Sequence, residues 1–82
     1  MPRKHPLLFS LIGWLGVIAI ALAYALLIFG VFEGQDVVYL LLNVAGSVAI
    51  MIEAWNVKNY QPVVLNMFWA LIALISLLSI LL

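Results

Sequence analysis

Three long apolar runs separated by two short polar breaks make up nearly the whole chain. The first run, 7–32, carries no charged residue. It ends at Glu33-Gly34-Gln35-Asp36. The second, 37–57, holds a single charge, Glu53, and ends at Lys58-Asn59-Tyr60-Gln61. The third, 62–82, is again uncharged. About 20 apolar residues are enough for a helix to cross the hydrocarbon core. The pattern therefore predicts an all-α fold: one integral membrane domain, 1–82, a bundle of three transmembrane helices over about 7–32, 37–57 and 62–82. At about 25 residues the first span is long enough to tilt. A basic head ahead of an apolar run is also how a signal peptide begins. This run exceeds the usual apolar core of about 7–15 residues, and no small-residue cleavage site follows, so it reads as a retained helix.

Local signals support these boundaries. Asp36 is placed to cap the second helix, because its carboxylate can accept from free backbone N–H groups. Pro62 suits the first turn of the third helix, where a missing N–H costs nothing. In the first helix small residues recur at Gly16, Ala19, Ala23 and Gly30, and Gly46 adds one in the second. Absent side-chain bulk lets a neighbouring helix approach, and close packing drives helix association in lipid. These five are the expected packing positions.

Composition turns the pattern into a class. Of 82 residues, 70% are hydrophobic and 7% charged, with a mean hydropathy of +1.37. A soluble domain is only about half apolar, and a chain this short has little interior to hide the excess. The bilayer is therefore the expected solvent and first partner. Net charge is zero, which argues against a nucleic-acid partner. There is no cysteine and one histidine, His5. That excludes thiolate chemistry, a His-based triad and a multi-histidine metal site within one chain. No phosphate-binding loop, dinucleotide fingerprint, HExxH or nucleophile elbow occurs. No catalytic residue, metal site or cofactor is expected, and the protein does not read as an enzyme. Arg3, Lys4 and Lys58 fall on one side of the membrane, Glu33 and Asp36 on the other. The positive-inside rule then places the N-terminus in the cytoplasm and the C-terminus outside.

The few polar residues inside the runs are the candidate chemistry. Asn43, Gly46, Ser47, Ile50, Glu53 and Val57 recur at steps of three or four, as do Asn66, Trp69, Ala70, Ala73 and Ser76. At 3.6 residues per turn each set lines one side of its helix. In a tight hairpin centred between Asn59 and Tyr60, Glu53 lies level with Asn66 and Asn43 level with Ser76. Glu53 reads either as a carboxylate holding two helices in register, hydrogen-bonded to Asn66, or as a contact for an ion, proton or solute, since intramembrane acids often mark pathways. Asn43 and Asn66 read as interhelical hydrogen-bonding residues, and Asn56 as a further oxygen donor. Tyr24 needs a partner for its hydroxyl, with Ser47 or Asn43 near its level. Trp14, Trp55 and Trp69 are packing and interface residues or, alternatively, a surface for a sugar or an amine. The candidate network is thus Glu53, Asn66, Asn43, Asn56, Ser47, Tyr24, Trp69 and Ser76.

The run Gly13-Trp14-Leu15-Gly16 with Tyr24 following, then Leu42-Asn43-Val44-Ala45-Gly46, then Pro62-Val63-Val64-Leu65-Asn66 with Trp69, resembles a family of small bacterial inner-membrane proteins. The resemblance spans nearly the whole chain. It implies three helices and location in the bacterial inner membrane, and no activity. The architecture is also similar to bacterial sugar transporters built as dimers of three-helix units. There a Pro-Gln pair in the first helix acts as a hinge; here Gln61-Pro62 stands in the second break, in reverse order.

Two functions follow as expectations. One is a self-associating structural or accessory membrane subunit, a two-fold homodimer or part of a larger membrane complex. The other is a minimal transporter or channel formed by a symmetric dimer, with Glu53, Asn43 and Asn66 lining a polar path for a small solute or cation.

Overall fold

A computed structural model describes residues 6–33 and 36–82. The basic head with Arg3 and Lys4, and Gly34-Gln35 of the first break, lie outside the described residues. Three helices follow in order: α1 Pro6–Ile28, α2 Val37–Asn56 and α3 Tyr60–Leu81. Each is long and apolar enough to span a membrane. No strand occurs among the described residues.

The helix ends explain where the boundaries differ from the sequence pattern. α1 stops at Ile28, although the apolar run continues to Phe32. Gly30 adopts φ +81°, its N–H donates to Leu27 O (3.1 Å), and Val31 N–H donates to Leu26 O (2.8 Å). This paired closure ties off the last carbonyls and needs a left-handed residue, which glycine supplies without a Cβ clash. Gly30 therefore terminates the helix and packs against no other helix of the chain among the described residues. A Cβ there would meet nothing within 4 Å.

α2 begins as expected: Asp36 is extended and its side chain accepts from Val38 N–H at 2.9 Å. It ends with the same closure as α1. Lys58 N–H donates to Trp55 O (3.0 Å) and Asn59 N–H to Ala54 O (2.9 Å). Here the left-handed position is Lys58, at φ +58°. α3 starts at Tyr60, two residues ahead of Pro62. Proline remains acceptable there, because the first four N–H groups of a helix have no intrahelical acceptor. The α2–α3 turn is fastened by an edge-to-face contact between Trp55 and Tyr60, with ring centroids 5.5 Å apart.

The tertiary arrangement is a row with α2 in the middle. α1 and α3 both pack on α2, and among the described residues they do not pack on each other. The longest dimension is 42 Å, comparable with a bilayer of about 40–45 Å including its headgroup regions. On the α1 side the seam is built from small residues. A Cβ on Gly16 would stand 2.7 Å from Gly46 O, and one on Gly46 would stand 2.9 Å from Gly16 O. The two backbones thus approach directly at this crossing. Ala23 continues the seam and is fully buried, while Ala19 is half-buried. On the α3 side Leu40, Ala73 and Leu77 form the buried cluster, with Tyr39 and Val44 against it. Gly16 and Gly46 therefore serve contact within the chain.

Candidate functional site

The polar side chains of the membrane spans fall into separate settings. Asn43 donates from Nδ2 to Tyr39 O, one turn earlier on its own helix, at 2.8 Å. Asn66 does the same to Pro62 O at 2.8 Å. Each satisfies one amide hydrogen against a backbone carbonyl without crossing to another helix. In hydrocarbon this is the nearest acceptor and requires no ordering of a second element.

Asn43 and Ser76, at equal distance from the turn, border one recess. It holds about 210 Å³ between α2 and α3, with Tyr39 and Trp69 on its walls. Ser47 lies between the helices, 0% exposed, and its Oγ has no hydrogen-bond partner among the described residues. Asn56 Nδ2 is likewise buried without a partner, at the edge of an apolar hollow lined by Phe9, Met51 and Val63.

Glu53 is placed by a different neighbour from the one its spacing suggests. Its Cβ and Cγ lie over Gly13 of α1: a Cβ added to Gly13 would stand 2.6 Å from Glu53 Cγ and 2.9 Å from Glu53 Cβ. Only a residue with no side chain leaves this room. Glu53 and Asn66 are thus held against different partners, Glu53 on α1 and Asn66 on the first turn of α3. The Glu53 side chain borders a cleft of about 270 Å³ that also takes in Ser10, Trp14, Ile50, Asn59 and Pro62. Glu53 precedes the end of α2 by three residues, about 4.5 Å along the axis, so the cleft sits at the end of the row where α1 begins and α3 begins.

Tyr24 points away from this chemistry. It is 60% exposed, while Asn43 is engaged with Tyr39 O and Ser47 is enclosed, so neither serves as its partner. Glu53 and Asn43 are separated by ten residues, about 15 Å along α2, and each borders its own recess. One chain therefore presents two polar recesses toward opposite ends of the row. Among the described residues no group of three or more His, Cys, Asp or Glu could hold a metal ion.

Sequence reasoning missed Gly13 and Ser10 as neighbours of Glu53. A signal was present: Gly13 and Gly16 are three residues apart and so share a face of α1 with Ala23. The small-residue stripe that includes Gly16 extends one turn earlier to Gly13, where the Glu53 side chain packs.

Comparison with curated proteins and with solved structures returns no match. A protein-family model matches residues 9–82, and the chain therefore belongs to that family, an uncharacterised small bacterial family.

Proposed function

We propose that the protein is a structural or accessory subunit of the bacterial inner membrane, with its N-terminus in the cytoplasm, that completes its packing by self-association. The observation that carries this reading is the open face of α2. Because α1 and α3 flank α2 without meeting, α2 keeps a broad side uncovered. Leu41, Ala45, Val48, Ile52 and Trp55 are all exposed there. Their spacing alternates four, three, four and three, the heptad rhythm of a helix–helix seam. Ala45 in its middle supplies a small residue at which a second backbone can approach. A two-fold dimer through this stripe is the simplest closed assembly.

The chain contains no cysteine, so single-cysteine variants report contacts cleanly. Ala45→Cys in native membranes is expected to give an oxidative dimer, while Ile75→Cys on the outer side of α3 is not. Equal crosslinking at both positions, or none at Ala45, would refute the stripe as the interface.

A second reading, a minimal transporter formed by the dimer, is supported by the recesses at Glu53 and Asn43. It requires the partner copy to bridge the interval between them. Proteoliposome flux that depends on Glu53 and Asn43 together would favour this reading over the accessory role.

A further inference from the structure

We propose that the apolar hollow over α2, between the start of α1 and the start of α3, holds one acyl chain of a phospholipid, with the Asn56 amide donating to the ester carbonyl at the head of that chain. The site is complete in a single chain, so this goes beyond the role in assembly and does not depend on it.

The lining sets the chemistry. Phe9 comes from α1, Val63 from α3, and Val48, Met51 and Ile52 from α2. The hollow lies open because α1 and α3 flank α2 without packing on each other among the described residues. It measures about 420 Å³, the space of about fourteen waters at about 30 Å³ each. A water there needs two to four polar partners, and these walls are almost wholly hydrocarbon. An apolar chain of similar volume needs none. The exception stands at the edge. Asn56 Nδ2 is enclosed and has no hydrogen-bond partner among the described residues, and a buried donor is costly to leave unpaired. The amide turns about a broad terminal torsion, which lets that N–H face the hollow. The walls and the donor together select a long apolar body with an oxygen acceptor at one end. A fatty acyl ester has that form.

Depth agrees with this occupant. α2 has 20 residues, about 30 Å at 1.5 Å per residue, which matches a hydrocarbon core of about 30 Å. Asn56 is its last residue, so the amide stands at the boundary with the headgroups, the level of the glycerol esters. Val48, eight residues earlier, lies about 12 Å deeper along the axis. Trp55 borders the same hollow, and its amphipathic ring suits that boundary. A second copy is the competing occupant. In a two-fold dimer of parallel chains equal depths face each other, so the hollow of one copy meets the hollow of its partner. Trp55, the largest side chain in the wall, is held in an edge-to-face contact with Tyr60 of its own chain. Self-association therefore brings a recess to a recess, whereas a lipid chain fills one.

Delipidated full-length protein in dodecylmaltoside is titrated with a diester phosphatidylglycerol and, separately, with its diether analogue, which has the same headgroup and chains but no carbonyl. Native mass spectrometry counts the lipid bound per chain. One lipid per chain is expected to bind saturably, and the diester about fivefold more tightly than the diether, the worth of one neutral hydrogen bond. This comparison needs no variant. Asn56→Leu, with far-UV circular dichroism unchanged, should bring the two lipids to equal affinity. Met51→Trp, which fills the hollow, should weaken both by at least about tenfold, since several methylenes lose their burial. Equal affinity for diester and diether in the wild-type protein, a preference that survives Asn56→Leu, or the absence of saturable binding would overturn the proposal. So would an efficient disulfide from Met51→Cys in native membranes, which would mark a second copy as the occupant. Crosslinking through Ala45→Cys tests the dimer alone, so the two readings fail separately.

Discussion

Gly16→Ala is the most informative single substitution, because its sign decides whether α1 and α2 touch. A Cβ at Gly16 would stand 2.7 Å from Gly46 O, 2.9 Å from Ala49 Cβ and 3.0 Å from Ile50 Cγ1. The first of these atoms is backbone and cannot rotate aside. Restoring an ordinary contact of 3.4 Å from 2.7 Å separates the helices locally by about 0.7 Å. A gap of that size forfeits a quarter to a half of each dispersion well of about 0.1–0.2 kcal/mol. Over on the order of twenty atom pairs along the seam, that is about 0.5–2 kcal/mol, in line with about 1–3 kcal/mol for an overpacked core. Alanine is the better helix former by about 1 kcal/mol in water. That gain largely cancels when the reference state is separated helices in detergent, since both states are helical there. The expected net effect is a loss of about 1–2 kcal/mol. Reversible unfolding in mixed dodecylmaltoside–dodecylsulfate micelles, followed by tryptophan fluorescence, measures it. Ala21→Leu, on the exposed side of the same helix, is the control and should stay within about 0.5 kcal/mol of wild type. If Gly16→Ala matches or exceeds the wild-type stability, the close crossing at Gly16 and Gly46 does not exist.

Two further substitutions test local features of the fold. Lys58→Gly should stabilise the α2–α3 hairpin by about 1 kcal/mol, because a left-handed backbone places Cβ against the following carbonyl in every residue but glycine; a destabilised variant in the same unfolding assay would mean that the side chain of Lys58 contributes more than its backbone strain costs. Ser47→Ala should be neutral or slightly stabilising, by up to about 1 kcal/mol, since it removes an enclosed hydroxyl that has no hydrogen-bond partner among the described residues. A clear loss of stability on that change would show that the hydroxyl is satisfied in the membrane.

Much of the architecture was legible in the chain because the bilayer imposes a one-dimensional rule. A span must be long, apolar and internally hydrogen-bonded, so run length and the positions of Glu33, Asp36 and Lys58 suffice to count helices and set their order. Capping follows the same local logic, and Asp36 accepts from Val38 N–H as its position suggests. The end of α1 is an intermediate case. Gly30 sits inside an apolar run, and hydropathy continues past it, whereas the backbone turns there because only glycine enters that conformation cheaply.

Which helices touch is a different kind of information. The spacing of Asn43, Glu53, Asn66 and Ser76 fixes their depth and their face, but depth is shared by every helix of the row. Asn43 and Ser76 border one recess between α2 and α3. Glu53, on the same stripe as Asn43, lies instead over Gly13 of α1. No periodicity within α2 can choose between two neighbours that flank it at similar depth. The choice rests on where a vacancy exists to receive the side chain, and Gly13 supplies it. The small-residue stripe of α1 is settled in the same way. Gly16 and Ala23 were equally suited to a second copy or to α2, and the short connection makes α2 the nearest surface with a matching glycine. The sequence therefore determined the number, order and depth of the helices, because those depend on each segment's own interaction with lipid. The pairing of faces, and with it the cleft beside Glu53, was decided only in three dimensions, because it depends on the shapes that two different segments present to each other.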